Sequence, residues 1–134
     1  MPIVNMKIGG VTAPMGYDFA KPLLSWQVEG GAGKQKDAAI KVYTDTAAAP
    51  VWECRGDLNW EGTVLALDTL LPRTRYPACV EVTDSEGTLH TGETWFETGL
   101  MDEPWQAKWL SCEAETWAPP FCGSFTAEKA VAKA

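Results

Sequence analysis

The chain has 134 residues, with 18 acidic and 11 basic side chains and a formal net charge of -7. This length allows one domain with a full hydrophobic core, plus a further segment. Because the basic residues are scattered, the composition argues against a nucleic-acid or anionic-membrane partner, either of which needs a clustered basic face.

The hydropathy of the chain bears on its location. No stretch has the uninterrupted apolar run of a membrane-spanning helix, and the start MPIVNMKIGG lacks the apolar core of a signal peptide. The sequence therefore predicts a cytoplasmic protein, with a secreted parent as the open alternative.

Short runs of strand-forming residues follow one another along the first hundred residues. Turn-forming glycine and aspartate residues separate them. Residues 37–39 could begin a helix, but the β-branched and aromatic residues after them favour an extended chain. The predicted strands cover residues 3–10, 23–30, 38–45, 51–56, 63–70, 76–84 and 94–99. About seven short strands predict an all-β fold, a two-sheet sandwich with an extended C-terminal segment.

Residues 70–82, LLPRTRYPACVEV, identify one connection between the sheets. Pro72 cannot donate to a sheet, so it belongs in the connection before a strand. From Tyr76 onward every second residue is apolar, which places Tyr76, Ala78 and Val80 on one buried face. A tyrosine at the start of such a strand can bury its ring and bond its hydroxyl to the backbone a few residues upstream, as in a tyrosine corner.

Trp26 is the predicted core partner of this corner. It shares a face with Leu24 and Val28 on an early strand and is large enough to fill the gap between two sheets. A tryptophan there, together with the pattern Leu-x-Pro-x-Thr-x-Tyr, resembles the fibronectin type III domain, an immunoglobulin-like sandwich.

The character of the sequence changes after Gly99. We predict a sandwich over residues 1–100, and a linker with the truncated start of a second β-domain over residues 101–134. In that second part, residues 120–125 form a single expected strand without partners. We expect the tail beyond about residue 112 to be held mainly by packing against the sandwich or against a neighbouring molecule in a crystal.

Several motifs in order resemble the N-terminal region of bacterial α-L-rhamnosidases, inverting glycoside hydrolases that release terminal rhamnose. The motifs are Pro14-Met15-Gly16, Pro22-Leu23-Leu24-Ser25-Trp26, Phe96-Glu97-Thr98-Gly99-Leu100, Trp105-x-Ala107-x-Trp109 and Pro120-Phe121. The sequence departs from the family pattern at Ala78 and Cys122, where the family usually has tryptophan and arginine. We expect Trp52 or Trp95 to fill the space beside Ala78.

The resemblance implies a non-catalytic accessory domain, and the partners it suggests are downstream domains of the same polypeptide and rhamnose-containing glycans. In that family, catalysis takes place in a helical barrel that lies beyond the end of this chain. We therefore expect no catalytic residue, cofactor or metal site in the chain itself.

We interpret the titratable side chains as structural rather than catalytic. We expect His90 on the surface in a hairpin loop, and the cysteines as reduced thiols on strands, with two disulfides conceivable in a secreted protein. The acids are expected on solvated faces, edges and loops rather than as a catalytic pair: Glu81, Glu93, Glu97, Asp102, Glu103, Glu113 and Glu115.

The seven tryptophans leave a second function open. Sugar rings stack on exposed aromatic faces, so Trp52, Trp60 and Trp117 could form a carbohydrate-binding module beside the polar residues Asp57, Asn59 and Glu61. The competing interpretation places Trp26, Trp52 and Trp95 in the core and packs Trp105, Trp109 and Trp117 at a domain boundary.

Overall fold

A computed structural model describes residues 3–30, 34–110 and 120–130. These residues contain eight strands and no helix. The strands are β1 (Ile3–Ile8), β2 (Met15–Tyr17), β3 (Leu23–Val28), β4 (Gln35–Val42), β5 (Trp52–Gly56), β6 (Thr63–Val64), β7 (Arg75–Asp84) and β8 (Leu89–Thr98).

The strands form two sheets, which confirms the predicted all-β immunoglobulin-like sandwich. One sheet has three strands in the order β1-β3-β6, and the other has five in the order β2-β8-β7-β4-β5. All neighbouring pairs are antiparallel except β2 and β8, which run parallel. The prediction missed β2 because its three residues are exposed and include Gly16 at a positive φ of 79°, so no alternation marks it.

The predicted alternation of β7 is confirmed along its whole length. Its even-numbered residues from Tyr76 to Asp84 are buried, and the odd-numbered residues between them are half-exposed. Trp26, on the facing sheet, is only 1% exposed. Burying an indole of about 200 Å² contributes roughly 5 kcal/mol before opposing terms, so Trp26 is a principal core residue.

Tyr76 makes the contact that defines a tyrosine corner. The backbone N–H of Leu71 donates to the Tyr76 hydroxyl oxygen at 2.8 Å. The Tyr76 ring stacks on Phe96 with a centroid separation of 5.1 Å, and Phe19 packs edge-on against Phe96. The Thr98 hydroxyl donates to the Leu71 carbonyl at 2.6 Å, so two side chains hold the connection that contains Pro72.

Gly92 allows the two sheets to approach each other closely. A Cβ atom at this position would lie 2.7 Å from the Ile3 Cβ and 2.8 Å from the Met6 sulfur. Distances this short are well inside van der Waals contact, and the Ile3 Cβ is fixed to the backbone of β1. The missing side chain of Gly92 is therefore a packing requirement.

The predicted core position of one ring, that of Trp95, is wrong. Trp95 lies on the outer face of β8, where the guanidinium carbon of Arg75 is 4.2 Å from its ring centroid, because its neighbour Phe96 takes the inner face. Trp95 is thus neither a core residue nor a filler of the space beside Ala78. Trp52 is half-buried and packs against the core, as expected.

The segment after β8 also differs from expectation. The structure assigns no strand to residues 120–125, and every described residue from 120 to 130 is exposed rather than packed on the sandwich. Trp105 is 74% exposed and Trp109 is fully exposed. The physical reason is that an isolated extended segment has no neighbouring strand to satisfy its backbone.

The tyrosine corner predicts a cost for removing one hydroxyl. Tyr76→Phe should lower the free energy of unfolding by about 1–3 kcal/mol, because the Leu71 N–H loses its acceptor in a part-buried hydrogen bond. Urea denaturation measures this loss. Tyr17→Phe is the matched control, since Tyr17 is exposed and its hydroxyl makes no hydrogen bond with the described residues. Equal midpoints for Tyr76→Phe and the unchanged protein would contradict the assignment.

The close approach at Gly92 predicts a second cost. Gly92→Ala should destabilise the fold by about 1–3 kcal/mol, because the added methyl group must displace β1 from β8. Gly123→Ala is the control, since nothing lies within 4 Å of the position that its methyl group would take. Thermal unfolding followed by circular dichroism compares the two variants, and a Gly92→Ala protein as stable as Gly123→Ala would refute the packing argument.

Candidate functional site

A pocket opens between the two sheets at the end of the sandwich away from the tyrosine corner. Its volume is about 750 Å³, and it is lined by the end of β3, the start of β4, the loop after β5, the end of β7 and the start of β8. This volume lies within the range of about 300–1,000 Å³ that is typical of small-molecule sites. The pocket is therefore the candidate functional site.

His90 and Asp84 form a buried pair in the wall of the pocket. The His90 Nε2 and the Asp84 Oδ2 are 2.8 Å apart, and the two residues are 1% and 6% exposed. The other carboxylate oxygen, Oδ1, accepts hydrogen bonds from the backbone N–H groups of Glu86 and Thr88, each at 2.9 Å. The pair thus joins the first residues of β8 to the hairpin turn.

The expectation that His90 lies on the surface is wrong. Strand β8 begins at Leu89, five residues before the predicted start at 94, so His90 lies within the strand. Counting back by twos from the buried Phe96 reaches His90 on the inner face. That alternation is the signal that could have found it, but Gly92 interrupts the apolar pattern.

The hydrogen bond from His90 is the largest cause of a lowered pKa at Asp84. The backbone N–H groups of Thr88 and Glu86 lower the pKa further, and burial of the carboxyl only partly opposes them. A general acid needs a carboxyl whose pKa is raised. Asp84 has the opposite shift and is engaged through both of its oxygens, which suits a structural role.

Trp26 brings an unsatisfied donor to the pocket. The residue is buried and is one of those that line the cavity, and its Nε1 has no hydrogen-bond partner among the described residues. Its backbone N–H, by contrast, donates to the Trp60 carbonyl at 3.0 Å. A buried N–H without an acceptor is unfavourable and rare in native proteins.

The loop after β5 places polar and aromatic groups at the mouth of the pocket. Asn59 accepts a hydrogen bond from the Glu61 N–H through its side-chain oxygen at 3.1 Å and from the Thr63 hydroxyl through its carbonyl at 2.9 Å. Gln35 donates to the Leu58 carbonyl and ties the loop to β4. Trp60 remains 47% exposed in this ordered loop.

The predicted sugar-stacking tryptophans do not come together. Trp60 lines the pocket with Asp57 and Asn59, whereas Trp52 begins β5 at its other end and does not line it. Trp117 lies outside the described residues. Sequence reasoning therefore grouped Trp60 with two of its polar neighbours but missed Trp26 and His90 as members of the same cavity.

The remaining acids are placed largely as predicted, with Glu97 as the exception. Its side chain is 8% exposed, and its Oε2 lies 3.3 Å from the Arg75 Nε. Strand β2 pairs with β8 at this position. Glu81 is half-exposed and pairs with Lys41 at 3.4 Å, and Glu93 is exposed. Glu113 and Glu115 lie outside the described residues.

The cysteines and the other metal-ligating side chains form no cluster within the described ranges. Over residues 3–30, 34–110 and 120–130, no three His, Cys, Asp or Glu side chains are grouped so as to hold a metal ion. Cys54, Cys79 and Cys122 are free thiols, and Cys112 lies outside these ranges. In the same part of the chain, no helix has the length and apolar character needed to cross a membrane.

A second cavity, of about 460 Å³, lies where the chain leaves the sandwich. Arg73 and Glu103 line it and form an ion pair at 2.9 Å. The Arg73 N–H donates to the Gly99 carbonyl at 2.8 Å, and the Met101 N–H donates to the Asp18 carboxylate at 3.1 Å. Residues 99–103 are thus fixed to the body of the sandwich.

The lowered pKa of Asp84 predicts an acid dependence of stability. A carboxyl whose pKa is lower in the folded state makes its full contribution to stability at pH values above its ordinary pKa of 3.8. This contribution is lost as the pH falls through the pKa of the folded state. The unchanged protein should therefore have a higher free energy of unfolding than Asp84→Asn at about pH 5, and this difference should shrink as the pH falls to about 2. Urea unfolding of both proteins measures it, and parallel curves over this range would contradict the prediction.

Comparison with known proteins identifies the family of residues 3–102. The family model described as "Rha78A-like, N-terminal immunoglobulin domain" matches residues 3–102. An α-L-rhamnosidase of Streptomyces avermitilis is 37% identical over an alignment of 134 positions, which covers 91% of this chain and 13% of that protein. The chain therefore spans only a small part of this relative.

Solved structures agree with the sequence match. The crystal structure of a Streptomyces avermitilis α-L-rhamnosidase complexed with L-rhamnose superposes with a TM-score of 0.63 at 33% identity, over 82% of this chain and 12% of that one. An α-L-rhamnosidase from Dictyoglumus thermophilum gives a TM-score of 0.67 at 24% identity, over 83% and 14% of the two chains, which shows the fold alone. The match over residues 3–102 confirms the resemblance seen in the sequence, and this chain belongs to the family of Rha78A-like N-terminal immunoglobulin domains.

Proposed function

We propose that this chain is the non-catalytic accessory domain of a rhamnosidase-like glycoside hydrolase whose full-length form hydrolyses terminal α-L-rhamnose. Its role is to hold and orient the next domain of the same polypeptide. The observation that carries this proposal is the fixed exit of the chain at residues 99–103. A linker tied to the sandwich by hydrogen bonds and an ion pair transmits the orientation of one domain to the next.

The side chains after this exit support the same role. Trp105, Trp109, Leu110, Phe121 and Phe125 are all more than half exposed. Large exposed apolar groups on one short segment are typical of an interaction surface. A downstream domain that packs on this segment would bury them.

The chemistry of the described residues supports a non-catalytic role for the chain alone. Inverting glycoside hydrolysis needs one carboxyl held protonated and a second one about 6.5–9.5 Å away that activates water. Asp84, the buried carboxyl of the pocket, is bonded to His90 and has a lowered pKa. The family resemblance assigns catalysis to a domain that would follow this chain.

A chimera tests the proposal. This chain would replace the matching N-terminal region of the Streptomyces avermitilis α-L-rhamnosidase, and the chimera would be compared with the same enzyme lacking that region. We expect the chimera to hydrolyse a chromogenic α-L-rhamnoside and to melt at a higher temperature than the shortened enzyme. The isolated chain should release no chromophore above the buffer rate.

A charge variant tests the contribution of the segment at residues 99–103, where the chain leaves the sandwich. Glu103→Gln breaks the ion pair with Arg73 and should lower the stability of the chimera by about 0.2–1 kcal/mol, the range for an exposed pair. Asp37→Asn is the matched control, because it breaks another exposed pair, with Arg55, away from the exit. Hydrolysis by the isolated chain, or a chimera no more stable than the shortened enzyme, would refute the proposal.

A further inference from the structure

We propose that the pocket at the hairpin end of the sandwich binds a neutral sugar ring. Three features of this pocket support the inference: the exposed indole of Trp60, the buried Trp26 Nε1–H that has no partner among the described residues, and the polar residues Asp57 and Asn59. The site is separate from the exit segment at residues 99–103, so the inference goes beyond the accessory role and can fail or hold independently of it.

Trp26 supplies a buried donor that needs an acceptor. The residue is 1% exposed and is one of those that line the cavity, and its buried Nε1 has no partner among the described residues. The Nε1 has almost no accessible surface, so a ligand in the cavity would reach it only after a small shift of the indole. A hydroxyl oxygen could then accept this hydrogen bond without bringing a charge into the gap between the sheets. The donor thus selects for a ligand that carries hydroxyl groups.

Trp60 supplies a face for the ring of the ligand. Nearly half of the residue is exposed, yet its backbone carbonyl is bonded to the Trp26 N–H and the rest of its loop is held by Asn59. The C–H groups on one face of a sugar pack against an aromatic ring through dispersion and through attraction to its negative face. A rigidly held indole offers this surface with little loss of entropy on binding.

The charges of the pocket favour a neutral ligand. Lys34 and Asp57 carry opposite charges, and neither belongs to a salt bridge among the residues that the structure describes. Asp84 is already engaged by His90 and by two backbone N–H groups. Asp57 remains as an acceptor for sugar hydroxyls, and the Asn59 amide nitrogen remains as a donor, since its oxygen is used by the Glu61 N–H.

Together these groups form a small-molecule site of the usual composition. An aromatic wall provides contact area, and a few placed polar groups fix orientation. The pocket volume of about 750 Å³ accommodates a monosaccharide or the terminal residue of a longer glycan.

Nuclear magnetic resonance of the 134-residue chain tests the proposal at the atom that motivates it. The assigned Trp26 Nε1–H signal would be followed while L-rhamnose, D-glucose or inorganic phosphate is added. We expect a saturable shift with the sugars and none with phosphate. Trp60→Ala should weaken sugar binding by about tenfold or more, and Asp57→Asn should weaken it less.

Trp109→Ala is the matched control, because Trp109 is fully exposed and lies outside the pocket. It should bind sugar as the unchanged chain does. Dispersed amide signals in each variant confirm that the fold is intact, and Trp60→Phe, which keeps an aromatic face, should restore part of the affinity. The proposal is overturned if neither sugar moves the Trp26 signal at tens of millimolar, if Trp60→Ala binds unchanged, or if phosphate gives the saturable shift.

Discussion

The hydrogen bond from the Leu71 N–H to the Tyr76 hydroxyl is the contact on which the architecture depends. It holds the connection from the three-stranded to the five-stranded sheet at the point where β7 begins. Because Tyr76 is also stacked on Phe96, one side chain sets both the path of the connection and the packing beneath it. The same connection accepts a hydrogen bond from Thr98, the last residue of β8, and so the corner also positions the exit of the chain.

The two ends of the sandwich have different chemistry as a result. At the corner end, stacked aromatic rings and backbone hydrogen bonds close the gap between the sheets. At the hairpin end, the inner face of β7 finishes in Asp84 and that of β8 begins near His90, so polar groups occupy core positions. They are hydrogen-bonded to each other, whereas the Nε1–H of Trp26 has no partner among the described residues, and all three residues line the pocket. A structural end and a candidate binding end thus share one pair of strands.

Family membership supports the accessory role of the chain, whereas the local geometry supports a ligand site in the pocket. The match over residues 3–102 is to the N-terminal immunoglobulin domain of rhamnosidase-like proteins. Under the proposed accessory role, the next domain would cover the aromatic side chains that are exposed after residue 103. The pocket is a property of the sandwich itself. An accessory domain can contain a ligand site because its loops at one sheet end are free to vary while the corner and core maintain the fold.

The sequence by itself determined the fold class, the strand pattern of β7, and the roles of Trp26 and Tyr76, because period-two burial and turn chemistry are local signals. It did not place His90 inside, since the strand start at Leu89 depends on pairing with β7 and not on local preference. Nor did it show that Trp95 lies outside the core, because the local sequence allows either Trp95 or Phe96 on the inner face of β8. The stacking of Phe96 on Tyr76 decides this. Only the tertiary structure brought Trp26, Trp60 and the Asp84–His90 pair to one cavity, since these residues come from four separate segments whose distances are set by sheet pairing.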